Sequence, residues 1–401
     1  MTIRSNFFNH IAKTSPFPLG LEISKAQGSY VIDENGKAYL DFISGIGVSN
    51  LGHGHPDIVQ AIHTQTDHYL HTMVYGEHIQ SPQVLLAQAL CAQLPDYLNQ
   101  VYFLSTGTEA IETAMKMSRK ITNRTKILSI ENAYHGSSFG SMSLMSDQSK
   151  TMAYAPMLPD IDHLIFNNFE SLHKIDDSVA AIIIEVIQAE AGIVLPDAAF
   201  LNALSERLKK HHVLLVIDEI QTGMGRTGSL FAFSKYGLDP DILVLGKSLG
   251  GGLPLSACIS SEQHFEALAY DPPLTHMTTF GGHPLCCAAG LAALKVLLDT
   301  DIIDQSITKT LRFSKKLIHP SIKEIRLTDG FWMAIDLGDA GLVQKVIPKV
   351  QEDGLLLDWF LFNDQSIRIA PPLNIRDEEI DQAADILMNS LDLFSENKLL
   401  R

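Results

Sequence analysis

The stretch Val213-Leu214-Leu215-Val216-Ile217-Asp218-Glu219-Ile220-Gln221 opens as an unbroken apolar run that meets two carboxylates, Asp218 and Glu219. A run of strand length with no polar alternation reads as a strand buried on both faces. Asp218, closing it, costs free energy unless it meets a cation. A protonated pyridine nitrogen is one such cation, and holding it protonated makes the ring an electron sink. Magnesium is the other, since Asp-Glu after a strand also occurs in nucleotide hydrolases. No Gly-Lys-Ser/Thr follows a first glycine at the spacing a P-loop needs, which disfavours magnesium.

Outward from this run, apolar segments of strand length recur at residues 101–104, 127–130, 181–184 and 242–245. Helix-like segments, such as 109–120 and 200–210, separate most of them. That alternation predicts a mostly parallel sheet covered on both faces. Polar residues follow each strand: Ser105-Thr106-Gly107-Thr108, Glu131 to Gly136, Glu185 with Gln188 and Glu190, Asp218 to Gln221, and Gly246-Lys247. Each alone is an ordinary strand-ending turn. Together they describe a ligand site, because open parallel sheets bind at the carboxyl ends of their strands.

Two of these segments carry chemistry of their own. Small residues at Ser105-Thr106-Gly107-Thr108 let backbone amides approach an anion at a helix start, although a plain helix cap reads the same way. Lys247 lies among glycines at a strand end, where a carbonyl carbon has room to approach and a desolvated amine is a nucleophile and then a base.

The flanks differ from this centre. A hairpin is expected at residues 30–42 around the Asn35-Gly36 turn, followed by a loop rich in glycine and histidine at 45–56. Strand-like segments at 331–337, 355–362 and 367–370 precede an amphipathic helix that opens on Asp377-Glu378-Glu379. The expected division is an N-terminal segment 1–55 packing with the small domain, a large α/β domain 56–300, and a smaller α+β domain 301–401.

Composition bounds the function. A formal charge of −16 without a basic cluster argues against nucleic acid and anionic membranes as partners. No apolar run is long enough to span a bilayer, and residues 1–20 lack a secretory pattern, so a cytoplasmic protein is expected. The four cysteines show no CxxC spacing and read as free thiols. His53-Gly54-His55 has no third ligand nearby in sequence, so no metal site is expected and a loop role is.

In this order the segments resemble the class III pyridoxal-phosphate aminotransferases of the acetylornithine, ornithine and 4-aminobutyrate type, over nearly the whole chain. The resemblance rests on residues 214–223 with Gly225-Arg226-Thr227-Gly228 and Lys247, on Asn50 to Pro56, Gly107-Thr108-Glu109-Ala110, Tyr134-His135-Gly136, Thr279 to Gly282 and Arg368 to Leu373. It implies fold-type I architecture and pyridoxal 5'-phosphate as cofactor. Lys247 would hold the cofactor as a Schiff base and shuttle a proton, and Asp218 would keep the pyridine nitrogen protonated. Gln221 would lie near the phenolic oxygen and Tyr134 on the ring face, with His135 and Glu185 also lining the cofactor. Gly107 and Thr108 would bind the phosphate, joined by Thr279 from the other subunit, which implies a homodimer with shared sites. Arg368 would bind the α-carboxylate of glutamate, and Glu190 would pair with Arg368 when an ω-amine is bound.

The resemblance implies a ping-pong transfer from an ornithine- or acetylornithine-type donor to 2-oxoglutarate. Ser137 departs from it, standing where that branch usually places a carboxylate-binding arginine, which moves 4-aminobutyrate, lysine or a diamine closer. Val186, Ala189 and His283 also replace commoner residues. The other readings are an aminomutase, racemase or decarboxylase on the same scaffold, a non-catalytic binding protein, and a nucleotide-binding α/β protein. Retention of Lys247 opposes the second; absence of both a P-loop and a GxGxxG after the first strand opposes the third.

Overall fold

The computed structural model describes residues 2–16, 18–74 and 76–399, and side chains only through residue 395. Positions 1 and 400–401, at the outer limits of the expected first and last segments, lie outside it. Its centre is a seven-stranded sheet in the order Gln100–Leu104, Ser256–Ser260, Ile242–Leu245, Leu214–Asp218, Val179–Ile184, Lys126–Ile130, Ile161–Leu164. Ser256–Ser260 runs antiparallel to both neighbours and the other pairings are parallel, so the sheet is mostly parallel, as the alternating pattern predicts. The strands at 179–184 and 242–245 are buried along their whole length, which is why they read as unbroken apolar runs.

Two strands escaped that reading. Ile161–Leu164 is a half-buried edge strand with Asp162 and His163 inside it, and Ser256–Ser260 is built largely from small residues. Neither forms a bulky apolar run, so periodicity alone does not mark them.

Helix Gly107–Thr122 covers one face and shows why its start is fixed. Thr106 caps it, accepting from the Glu109 amide, while Glu109 Oε2 accepts from the amides of Ser105 and Thr106, each at 3.0 Å. Asn123, in the left-handed region, ends it. The cap puts Gly107 and Thr108 in the first turn, at the carboxyl edge of the sheet. On the other face, helix Pro284–Asp299 packs on Pro56–His68 and Ser81–Cys91.

Two four-stranded sheets lie outside this core. One holds Ile23–Gln27, Tyr30–Asp33, Ala38–Asp41 and Leu355–Leu356, the last parallel to 38–41. The other holds Glu324–Leu327, Met333–Asp336, Asn363–Ile369 and Asp358–Phe360. The segment read as one strand over 355–362 is therefore split between two sheets. The closing helix, Asp377–Leu399, packs on Ile302–Lys316 and Ala340–Glu352. Among the described residues no helix is long and apolar enough to cross a membrane.

Candidate active site

The polar strand ends converge. Asp218 is the last residue of its strand and is paired in register with Val244, so Lys247 leaves the neighbouring strand three residues further on, beside it. Lys247 Nζ donates to Gln221 Oε1 at 2.9 Å. The lysine holds φ +47, a left-handed conformation that non-glycine residues adopt rarely and that recurs at functional sites. Burial lowers the Lys247 pKa and Arg368 adds to the lowering, while Glu190, Asp218 and Glu185 oppose it.

Asp218 is nearly enclosed. Its Oδ1 accepts from the Ile220 amide at 3.0 Å and its Oδ2 from His135 Nδ1 at 2.7 Å. Burial alone would lower the His135 pKa, but the hydrogen bond and charge of Asp218, with Glu185 behind them, raise it. Glu185, on the next strand end, takes the Ala189 amide on Oε1 at 3.2 Å. Burial pushes its carboxyl up to about 8, with Asp218 and Glu190 adding and His135 opposing. Three polar atoms of this group, Gln221 Nε2, His135 Nε2 and Glu185 Oε2, are enclosed without a hydrogen-bond partner, an arrangement that costs free energy unless a ligand completes it.

The glycine-led turn at 107 has no room to spare. A Cβ on Gly107 would stand 2.7 Å from Ile220 Cδ1, and one on Gly136 would stand 2.6 Å from Thr108 Oγ1. The Thr108 hydroxyl lies 2.7 Å from Ser138 Oγ and 2.6 Å from Ser141 Oγ, and Glu112 Oε1 accepts from Ser138 Oγ at 2.5 Å and the Ser141 amide at 3.1 Å. Sequence reading had not singled out Glu112, Ser138 or Ser141. Their small-residue pattern carries no period, and only the fold brings the 134–141 loop onto the helix start.

Glu190 and Arg368 meet across the sheet domain and the C-terminal sheet. NH1 and NH2 of Arg368 each donate to one Glu190 oxygen at 2.9 Å, a two-point pairing, with Arg368 only 2% exposed. Tyr134 is half-buried, its hydroxyl 3.0 Å from Ser137 Oγ. Thr279 is exposed, on a segment with the exposed Met277 and Phe280. His53 Nε2 lies 2.8 Å from Asp41 Oδ2.

A family model described as aminotransferase class-III matches residues 11–391. The chain belongs to the class III aminotransferases. Among relatives of this class III aminotransferase, acetylornithine aminotransferase of Archaeoglobus fulgidus is 34% identical, the match covering 92% of this chain and 94% of the relative. The [LysW]-aminoadipate semialdehyde/glutamate semialdehyde transaminase of Sulfolobus acidocaldarius is 36% identical, covering 94% and 96%. Among solved structures, the ornithine aminotransferase of Toxoplasma gondii superposes with a TM-score of 0.89 at 30% identity, covering 99% of this chain and 97% of that one. The architecture is thus that of fold-type I transferases, and the chain is a pyridoxal-phosphate-dependent aminotransferase acting on amino-acid-like substrates.

Proposed function

We propose that this enzyme moves an amino group from an ornithine- or acetylornithine-type donor to 2-oxoglutarate by a ping-pong sequence. The carrying observation is the enclosed two-point pair of Glu190 with Arg368. While Glu190 neutralises the guanidinium, the site accepts the uncharged chain of an ω-amine. With Glu190 displaced, Arg368 binds the α-carboxylate of glutamate or of the oxo acid, so one pocket serves both halves of the reaction.

The residues fit pyridoxal phosphate: three enclosed polar atoms are left without partners and an amine is held among carboxylates. Lys247 would hold the cofactor, Asp218 its ring nitrogen, Gln221 its phenolic oxygen and Tyr134 its ring face, with His135 and Glu185 lining it. Gly107 and Thr108 would take the phosphate, with Thr279 of a second copy. Bound, the cofactor supplies an electron sink for a substrate carbanion. Lys247 Nζ takes and returns the proton of the substrate carbon, and its lowered pKa favours the neutral base this needs. His135 orients the Asp218 carboxylate through the 2.7 Å bond.

Ser137, exposed and bonded to Tyr134, favours a second reading of the same site, as a 4-aminobutyrate, lysine or diamine aminotransferase. Shared sites in a homodimer are supported by the exposure of Leu274 (66%), Met277 (54%) and Phe280 (57%) around Thr279. A monomeric mass by light scattering at micromolar concentration would remove that part of the proposal.

The test is absorbance of the purified protein titrated singly with glutamate, ornithine, N-acetylornithine, 4-aminobutyrate, lysine and putrescine, with Lys247→Ala alongside. Bleaching of the lysine-bound cofactor by glutamate and one other amine, halting without an oxo acid, is expected and names the donor. Turnover continuing without an oxo acid replaces this reading with a mutase or racemase. Failure of the native protein to take up the cofactor overturns it.

A further inference from the structure

Arg368 has a second carboxylate neighbour. In the antiparallel pair of 358–360 with 363–369, Asp358 stands directly opposite Arg368. Asp358 Oδ1 lies 3.4 Å from Arg368 Nε, yet neither atom makes a hydrogen bond. The rest of the guanidinium is committed: NH1 and NH2 hold Glu190, NH2 also donates to the Trp359 carbonyl at 3.0 Å, and the Phe360 ring sits 4.7 Å beneath. One enclosed cation thus faces two carboxylates, one in a two-point pair and one at charge-pair distance.

We propose that Asp358 is a specificity-determining residue: it competes with a substrate carboxylate for Arg368, so that such a carboxylate binds together with a proton taken up at Asp358. The inference rests on the reading of Arg368 as the carboxylate site. An arriving carboxylate displaces Glu190 from the guanidinium but not Asp358, which is fixed on the strand opposite. With Glu190 off the guanidinium but still tethered by the Leu361 amide, three carboxylates crowd one cation where two did before, and the cheapest relief is protonation of Asp358, whose Oδ1 has no hydrogen bond. The groups facing Asp358 are Arg368, Glu190 and Asp41, the last held by His53. Burial pushes the Asp358 carboxyl up to about 6, with Glu190 and Asp41 adding and Arg368 opposing, so a further anion finds it close to taking a proton near neutrality. An ω-amine donor leaves Glu190 on Arg368 and brings no such demand.

The experiment is calorimetric titration of the holoenzyme with glutarate, a non-reacting dicarboxylate, at pH 6 to 8 in buffers of different ionisation enthalpy, for wild type, Asp358→Asn and Arg368→Gln. KM values for 2-oxoglutarate and for the amine donor are measured beside it. Wild type is expected to take up a fraction of a proton per glutarate and to bind it several-fold more weakly at pH 8 than at pH 6. Asp358→Asn is expected to bind without proton uptake, several-fold tighter at pH 8, with the oxo-acid KM lowered and the donor KM within twofold. Equal proton uptake in both proteins, or weaker glutarate binding by Asp358→Asn, overturns the inference. If Asp358→Asn does not fold, wild-type binding without proton uptake overturns it alone. Undiminished binding by Arg368→Gln removes instead the underlying reading of Arg368.

Discussion

Arg226 donates from Nε to Oδ1 of Asn50 at 3.2 Å, inside a site where the arginine has no exposed surface. Its NH1 donates to the carbonyls of Phe331 and Pro371, at 3.0 and 2.7 Å. Among the described residues no carboxylate pairs with this guanidinium; burial pushes its pKa down to about 9, with Asp41 opposing at longer range. The N-terminal loop, the 221–228 turn and the C-terminal sheet region are thus joined through one side chain. Arg226→Met leaves three buried acceptors unpaired and is expected to cost about 3 kcal/mol or more. Arg226→Lys should recover little of this, because one ammonium cannot span the acceptors. Thermal and denaturant unfolding of both variants checks it; midpoints unchanged from wild type would refute the hub.

Glu219 plays a related part beside the strand that ends on Asp218. Its Oε2 accepts from the Ala232 amide at 2.8 Å and the Thr222 hydroxyl at 3.2 Å, and its Oε1 from the Phe233 amide at 2.6 Å. Glu219→Gln turns one acceptor into a donor facing donors, at an expected cost of about 1–3 kcal/mol. The loss is read from the denaturation midpoint, and Asp218 being intact, cofactor uptake should persist.

Asp218→Asn keeps the shape of the side chain and removes the charge. Roughly 10²-fold or more of kcat should be lost, the scale at which a fixed charge acts in an enclosed site. Single-turnover rates with glutamate measure this, and a loss below threefold would exclude Asp218 from the chemistry.

Glu185 gives a pH signature. Its folded pKa of about 8 lies above the ordinary 4.5, so the folded state keeps a proton that the unfolded state gives up. Stability attached to that proton is complete below 4.5 and lost as pH rises through about 8. Glu185→Gln, always neutral, should therefore gain on wild type in melting temperature from pH 5 to 8 and then level off. Parallel melting curves across that range would show that Glu185 is ionised in the fold.

Ser137→Arg tests the donor pocket. Placing a guanidinium on this exposed loop, next to Tyr134, is expected to lower KM for N-acetylornithine several-fold and to leave KM for putrescine unchanged or higher. Steady-state kinetics with both donors decides it, and equal shifts for the two would remove carboxylate recognition from this position.

The sequence by itself determined the sheet and the edge where chemistry gathers. Strands buried on both faces must be unbroken apolar runs, so Leu214–Asp218 and Ile242–Leu245 announce themselves, and Asp218 and Lys247 follow by position. Even there, Ser256–Ser260 was silent, because small residues next to bulky strands leave no local pattern. What the tertiary structure alone decided is which distant residues meet. The two-point pair of Glu190 and Arg368 spans 178 positions. The crossing from Leu355–Leu356 in one sheet to Asp358–Phe360 in another sets Asp358 against the same arginine. The Arg226 hub likewise draws on four separate segments. Local periodicity records which face of an element is buried; it holds no record of which other element covers that face, and these charges depend on that.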